Sequence, residues 1–185
     1  MISGPAGVGK STITRRAVAR TGASLSVSAT TRPPRPGEVD GREYHFMGRP
    51  AFDALVADGG FLEHAEVFGQ CYGTPADPVR KALADGQTMI LEIDVQGGLL
   101  VANAMPEAMF VLIVPPSEAE LERRLVGRGT ESADQLARRL GKSKAELALA
   151  RGSGVYNIEV VNDDLERAID EVCSLIRKTE GAMND

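Results

Sequence analysis

Apolar runs of strand length at residues 25–28, 89–94, 109–114 and 158–161 recur along the chain, separated by segments whose apolar positions return at helical spacing. That alternation predicts an α/β fold. Residues 12–20 suit a helix that stops at Thr21 and Gly22. A last helix over 164–177 carries Leu165, Ile169, Val172, Leu175 and Ile176 on one face and is predicted to pack on the sheet in a structural role. Ser117, with Glu120 three residues on and Pro115-Pro116 before it, forms a capping box that marks another helix start.

The pattern changes between Thr31 and about Pro78. Pro33, Pro34, Pro36, Gly37 and Gly41 precede short strand-like pieces at 44–46 and 61–68, which predicts an inserted, mostly β subdomain over 32–78. A second, polar insertion over 123–150 carries Arg123, Arg124, Arg128, Arg138 and Arg139 on two predicted helices joined by 127–132. The remaining stretches, 1–31, 79–122 and 151–185, then form the core of one domain. There is no internal repeat or low-complexity tract.

Composition narrows the function classes. With 185 residues, 43% hydrophobic and 25% charged, the chain can bury a core and stay soluble. A formal net charge of −5 gives no basic footprint, so a nucleic-acid partner is not expected. Cys71 and Cys173 lack metal-ligand spacing and suggest neither a disulfide framework nor a zinc site; a reducing cytoplasm fits. No charged leader precedes an apolar run, and no stretch reaches the ~18 apolar residues a bilayer requires, so no membrane role is expected. His45 and His64 stand near no nucleophile or metal pair and read as packing or surface residues. The oligomeric state is not set by any of these features.

Gly4, Pro5, Ala6, Gly7, Val8, Gly9, Lys10 and Ser11 satisfy the pattern G-x-x-x-x-G-K-[ST]. In such a loop the glycines let backbone N–H groups wrap phosphate oxygens, and the following helix adds its positive N-terminal end. Lys10 would reach the β- and γ-phosphates of a nucleotide, and Ser11 would hold Mg²⁺. Only Met1, Ile2 and Ser3 precede the loop, where a full buried strand is usual; either the strand is short or the true start lies upstream.

The segment 26–38, SVSATTRPPRPGE, continuing through Gly41 to Tyr44, resembles the signature of the guanylate kinase family. The resemblance continues in order through Phe61-Leu62-Glu63, Tyr72-Gly73-Thr74, residues 90–97, Gly127-Arg128-Gly129-Thr130 and Val161-Asn162-Asp163-Asp164, covering nearly the whole chain. It implies a P-loop fold with a parallel five-stranded core flanked by helices, a GMP-binding subdomain at 32–78 and an α-helical lid at 123–150. The implied reaction is Mg²⁺-dependent phosphoryl transfer from ATP to GMP or dGMP.

On that resemblance, Arg32 and Arg35, three apart on a proline-stiffened loop, would grip the GMP phosphate, joined by Tyr44 and Tyr72. Glu38 would hold an arginine of the cluster in place. Glu63 and Glu92 would accept from the N1–H and amino group of guanine, with Ser28 and Thr74 supplying hydroxyls. Asp94, closing an apolar strand beside the phosphate loop, would hold Mg²⁺ through water or simply cap a helix. Arg124, Arg128 and Arg139 would swing onto the transferring phosphate as the lid closes, with Asn162 near the adenine. Arg123 and Arg138 read as surface residues.

Ala6 stands where the family usually has serine, Cys71 where it has tyrosine, and Gly141 interrupts the second lid helix, which predicts a looser lid. Two other readings remain open: a guanylate-kinase-like binding module without catalysis, and a P-loop kinase with a different phosphorylated acceptor.

Overall fold

The computed structural model describes residues 1–67, 69–126 and 133–182. The chain begins β1 (Ile2–Ser3), α1 (Lys10–Thr21), β2 (Ser24–Leu25), β3 (Ala29–Thr30), β4 (His45–Phe46), α2 (Arg49–Ala57), β5 (Phe61–Val67) and β6 (Gln70–Pro75). It continues α3 (Ala76–Ala84), β7 (Met89–Ile90), α4 (Val95–Ala104), β8 (Val111–Val114), α5 (Glu118–Val126), α6 (Ala133–Gly152), β9 (Ile158–Val161) and α7 (Leu165–Ala182).

Parallel pairing joins β1 to β8, β8 to β9 and β2 to β7. Ile2 also bridges in parallel to Glu92, donating to the Leu91 carbonyl at 2.8 Å and accepting from the Ile93 N–H at 3.2 Å. One parallel layer results, in the order β2, β7, β1, β8, β9, which is the five-stranded core the resemblance implies.

The regular ladders are shorter than the apolar runs at 25–28 and 89–94, and the hydrogen bonds explain why. Ser26 N–H still meets the Ile90 carbonyl at 2.9 Å, but from Leu91 onward the chain turns its bonds from β2 to β1. The run is extended throughout while its partner changes. The two residues of β1 hold because both of their edges are paired.

Strand β8 reads Val-Leu-Ile-Val and is buried throughout. Side chains alternate across a strand, so Val111 and Ile113 join a cluster with Ile13 and Ala17 of α1 and Ile169, Val172 and Cys173 of α7. Leu112 and Val114 join a second cluster with Val79 of α3, Val95 and Val101 of α4, and Ala150 of α6. Helices thus cover both faces. Helix α1 ends at Gly22, whose φ of +80° lets its N–H turn back to the Val18 carbonyl at 2.9 Å.

A second sheet, in the order β4, β3, β6, β5, mixes one parallel pair with antiparallel ones. It has its own small core, in which Phe52 of α2 stacks on Phe61 at 4.5 Å beside Ala29 and Cys71. The prolines and glycines of 33–41 lie in the connection from β3 to β4. Ser117 accepts from the Glu120 N–H at 3.1 Å, as the capping box predicts, and α5 starts there. No helix among the described residues is long and apolar enough to cross a membrane.

Candidate active site

The loop from Gly4 to Gly9 leaves β1 and enters α1 at the carboxyl end of the parallel strands, the place where ligands meet open α/β sheets. Gly9 forms the N-cap of α1 with φ +94°, and the N–H groups of Thr12 and Ile13 both bond to its carbonyl at 3.1 Å. A Cβ at Gly9 would lie 2.5 Å from Asn162 Nδ2, and one at Gly4 would lie 2.3 Å from the Ile113 carbonyl oxygen. Glycine is therefore required at both positions by closeness as well as by conformation. Asn162, buried at the end of β9, donates from Nδ2 to the Val8 carbonyl at 2.7 Å. The Lys10 ammonium donates to the carbonyls of Gly4 and, at 3.0 Å, Pro5.

One carboxylate, Glu92, contacts this loop directly, and two more, Asp94 and Glu63, lie at the first turn of α4. Glu92 accepts from the Ser11 hydroxyl, so one of the two carboxylates expected at the base is also tied to the phosphate loop. Asp94 is the N-cap of α4 and accepts from the Gly97 N–H at 2.8 Å. Glu63 comes from β5, opposite Thr74 in the ladder, and Thr74 Oγ1 donates to its Oε1 at 2.6 Å. Burial pushes the Glu63 carboxyl above the ordinary glutamate range; the Thr74 bond opposes this, and the charge of Asp94 adds to it.

Around the small sheet, Glu38 grips Arg32 with both oxygens at 2.9 Å and also accepts from the Arg35 N–H at 2.7 Å. The bidentate bond to Arg32, then the bond from the Arg35 backbone, holds the Glu38 carboxyl below its usual range. The Arg32 guanidinium lies 5.4 Å from the Tyr44 ring centre and 5.7 Å from that of Phe46. Tyr44 and Tyr72 meet edge to face at 6.0 Å. Strand alternation puts Tyr72 and Thr74 on the same face of β6. Arg32, Tyr44, Glu63, Tyr72 and Thr74 are thus brought together on the small sheet, while Glu92 belongs to the parallel layer and Arg35 is exposed.

A sequence profile of the guanylate kinase family matches residues 1–179. The chain belongs to the guanylate kinase family. It is 45% identical over 188 aligned residues to a guanylate kinase of Thermus thermophilus, covering 100% of this chain and 84% of that protein. It is 48% identical to that of Thermobifida fusca, covering 95% of this chain and 89% of the relative. The crystal structure of guanylate kinase from Anaplasma phagocytophilum superposes with a TM-score of 0.74 at 30% identity, covering 97% of this chain and 84% of that one. Membership makes the chain a phosphate-transferring kinase.

Among the arginines expected in the lid of this guanylate kinase family member, Arg124 donates to Glu120 at 2.7 Å and to the Asn162 carbonyl at 2.8 Å, next to the phosphate loop. Arg139 is half-buried on α6, and Arg128 lies outside the described residues. Arg123 pairs with Glu120 at the surface and Arg138 is exposed, as the sequence predicts. Hydrogen bonds from Arg123 and then Arg124 hold the Glu120 carboxyl down to about 2. His64 packs edge-on to Phe52 at 6.4 Å. Ala6 is exposed on the loop, and Cys71 is buried in the small core.

Sequence reasoning places Asn162 near the adenine; the contact its side chain makes here is with the Val8 carbonyl of the phosphate loop. It gives Gly97 no role of its own. Both residues make contacts with segments far away in the chain, and no local pattern signals them.

Proposed function

We propose that the chain transfers the γ-phosphoryl group of ATP to GMP or dGMP. The observation that carries this reading is the Thr74–Glu63 bond: a carboxylate fixed on the wall of the acceptor face is an acceptor for the N1–H and amino group of guanine. Adenine has no N1–H and offers an amino group where guanine has O6, so it would leave that carboxylate unmatched. Ser28 and Glu92 complete the base contacts, and Arg32, Arg35, Tyr44 and Tyr72 bind the phosphate. Because Glu38 already holds Arg32, the guanidinium loses little freedom on binding.

The donor nucleotide lies on the loop 4–11, its phosphates facing backbone N–H groups and the N-terminus of α1. The Ser11 hydroxyl, which here donates to Glu92, and the Asp94 carboxylate are oxygen donors that suit Mg²⁺, which takes one or two protein ligands and fills the rest with phosphate and water. Bound there, the ion would neutralise charge on the β- and γ-phosphate oxygens. No group of three or more His, Cys, Asp or Glu residues that could hold a metal ion occurs among the described residues. Lys10 and the lid arginines, Arg124, Arg128 and Arg139, stabilise charge on the transferring group, and lid closure keeps water from it.

A coupled assay of ADP release with GMP, dGMP, AMP, UMP and no acceptor tests the reading. GMP and dGMP should support turnover, with AMP disfavoured by ~10⁴ in kcat/KM. Lys10→Ala should lower kcat far more than it weakens GMP binding. A folded protein that releases no GMP-dependent ADP refutes the proposal.

A further inference from the structure

We propose that Gly97, on the first turn of α4, is a specificity-determining residue for the acceptor base, acting through Glu63; the inference rests on the guanine reading of Glu63 given above. The Glu63 carboxylate is held from two sides. Its Oε1 takes the Thr74 hydroxyl at 2.6 Å. On the other side, a Cβ built at Gly97 would lie 3.0 Å from Oε2 and 3.3 Å from Cδ of Glu63. The bare backbone of Gly97 is therefore one jaw of a clamp whose other jaw is Thr74.

Helix α4 fixes that jaw. Asp94 caps the helix and accepts from the Gly97 N–H at 2.8 Å, so this turn cannot drift without loss of the cap. Gly97 is buried, and its conformation is not left-handed, so backbone freedom is not the reason for glycine here. The reason is close approach. A methyl group at this position must displace Ile93, whose Cγ2 would lie 2.5 Å away, and also move the flexible carboxylate tip by a few tenths of an ångström. Displacing the tip stretches the Thr74 bond and misaligns the oxygen that faces the base. Recognition by a buried acceptor depends steeply on such alignment.

The adjacent Gly98 supplies the control. A Cβ there would lie 2.0 Å from Tyr156 Oη and 2.7 Å from Met1 Cε, a harder clash on the same turn, but with none of its nearest contacts on Glu63. Gly97→Ala should lower the GMP-to-AMP ratio of kcat/KM by ~10-fold, chiefly through a higher KM for GMP, with the KM for ATP little changed. Gly98→Ala should reduce thermal stability yet keep the selectivity ratio. In a cycle with Glu63→Asp, the shorter carboxylate should relieve the Gly97→Ala defect, so that the two effects are less than additive. If Gly97→Ala does not fold, the same ratio is read in Ile93→Ala/Gly97→Ala against Ile93→Ala, which removes the other obstacle.

Wild-type selectivity in a folded Gly97→Ala protein overturns the inference, as does an equal loss in Gly98→Ala or strict additivity with Glu63→Asp. If the unaltered protein shows no preference for GMP over AMP, the guanine reading of Glu63 has failed instead.

Discussion

Glu63 is the residue on which the proposed base recognition turns, and its environment makes recognition sensitive to pH. Burial raises its carboxyl above the ordinary glutamate range, so the folded protein takes up a proton there at a higher pH than the unfolded chain does. A raised acid favours the folded state at low pH, and that contribution is lost as pH rises through the folded value. Guanine binding runs the other way, because only the ionised carboxylate accepts two hydrogen bonds. The KM for GMP should therefore rise as pH falls, beginning above the usual glutamate range, and Glu63→Gln should remove that rise while raising KM throughout. AMP carries the same phosphate, so its binding measured alongside separates titration of the ligand from that of Glu63. A wild-type profile unchanged by Glu63→Gln would sink the assignment.

At the scale of elements, helix α6, in the proposed lid, holds a residue that breaks its own local rule. Gly141 lies inside α6, where glycine is less favourable than alanine by about 1 kcal/mol. A Cβ there would meet nothing within 4 Å. Gly141→Ala should therefore stabilise the protein by up to ~1 kcal/mol in urea unfolding. If helix stiffness limits the lid, kcat should fall in the same variant while the KM for GMP holds; unchanged stability would show that α6 does not unfold with the rest. The helix and its glycine are legible in sequence because period and propensity are local properties. So are the phosphate loop and the capping box at Ser117. Thr74 on Glu63, Asn162 on Val8 and Gly97 against Glu63 are not, because each is made by tertiary packing across elements. The short ladders of β2 and β7 belong with them: an apolar run says that a segment is extended and buried, not which neighbour it pairs with at each residue.

Across the whole molecule, the two proposed substrates rest on different sheets, each with its own cluster and joined where Leu62 of β5 enters the second cluster of the parallel layer. The loop 4–11 is supported by clusters on both faces of the parallel layer, whereas Arg32, Tyr44, Tyr72 and Glu63 belong to the small sheet, whose core is Ala29, Phe52 and Cys71 with Met47, Val56 and Phe61 around them. So small a core depends on few side chains, and Phe52, 2% exposed and stacked on Phe61, is the largest of its buried residues. Phe52→Ala removes about 3–5 kcal/mol of packing, a large share of the ~5–15 kcal/mol that holds a domain folded. The loss should concentrate where the side chain was. Hydrogen exchange should quicken in β3, β5 and β6 while β8 and β9 stay protected, because stability is distributed unevenly among cooperative units. Function should divide in the same way. GMP binding should weaken by an order of magnitude or more, since the bound state must first restore the small sheet, and ATP binding should stay near the wild-type level. Equal loss of protection in both sheets, or equal weakening for both nucleotides, would mean that the two sheets fold and bind as one unit.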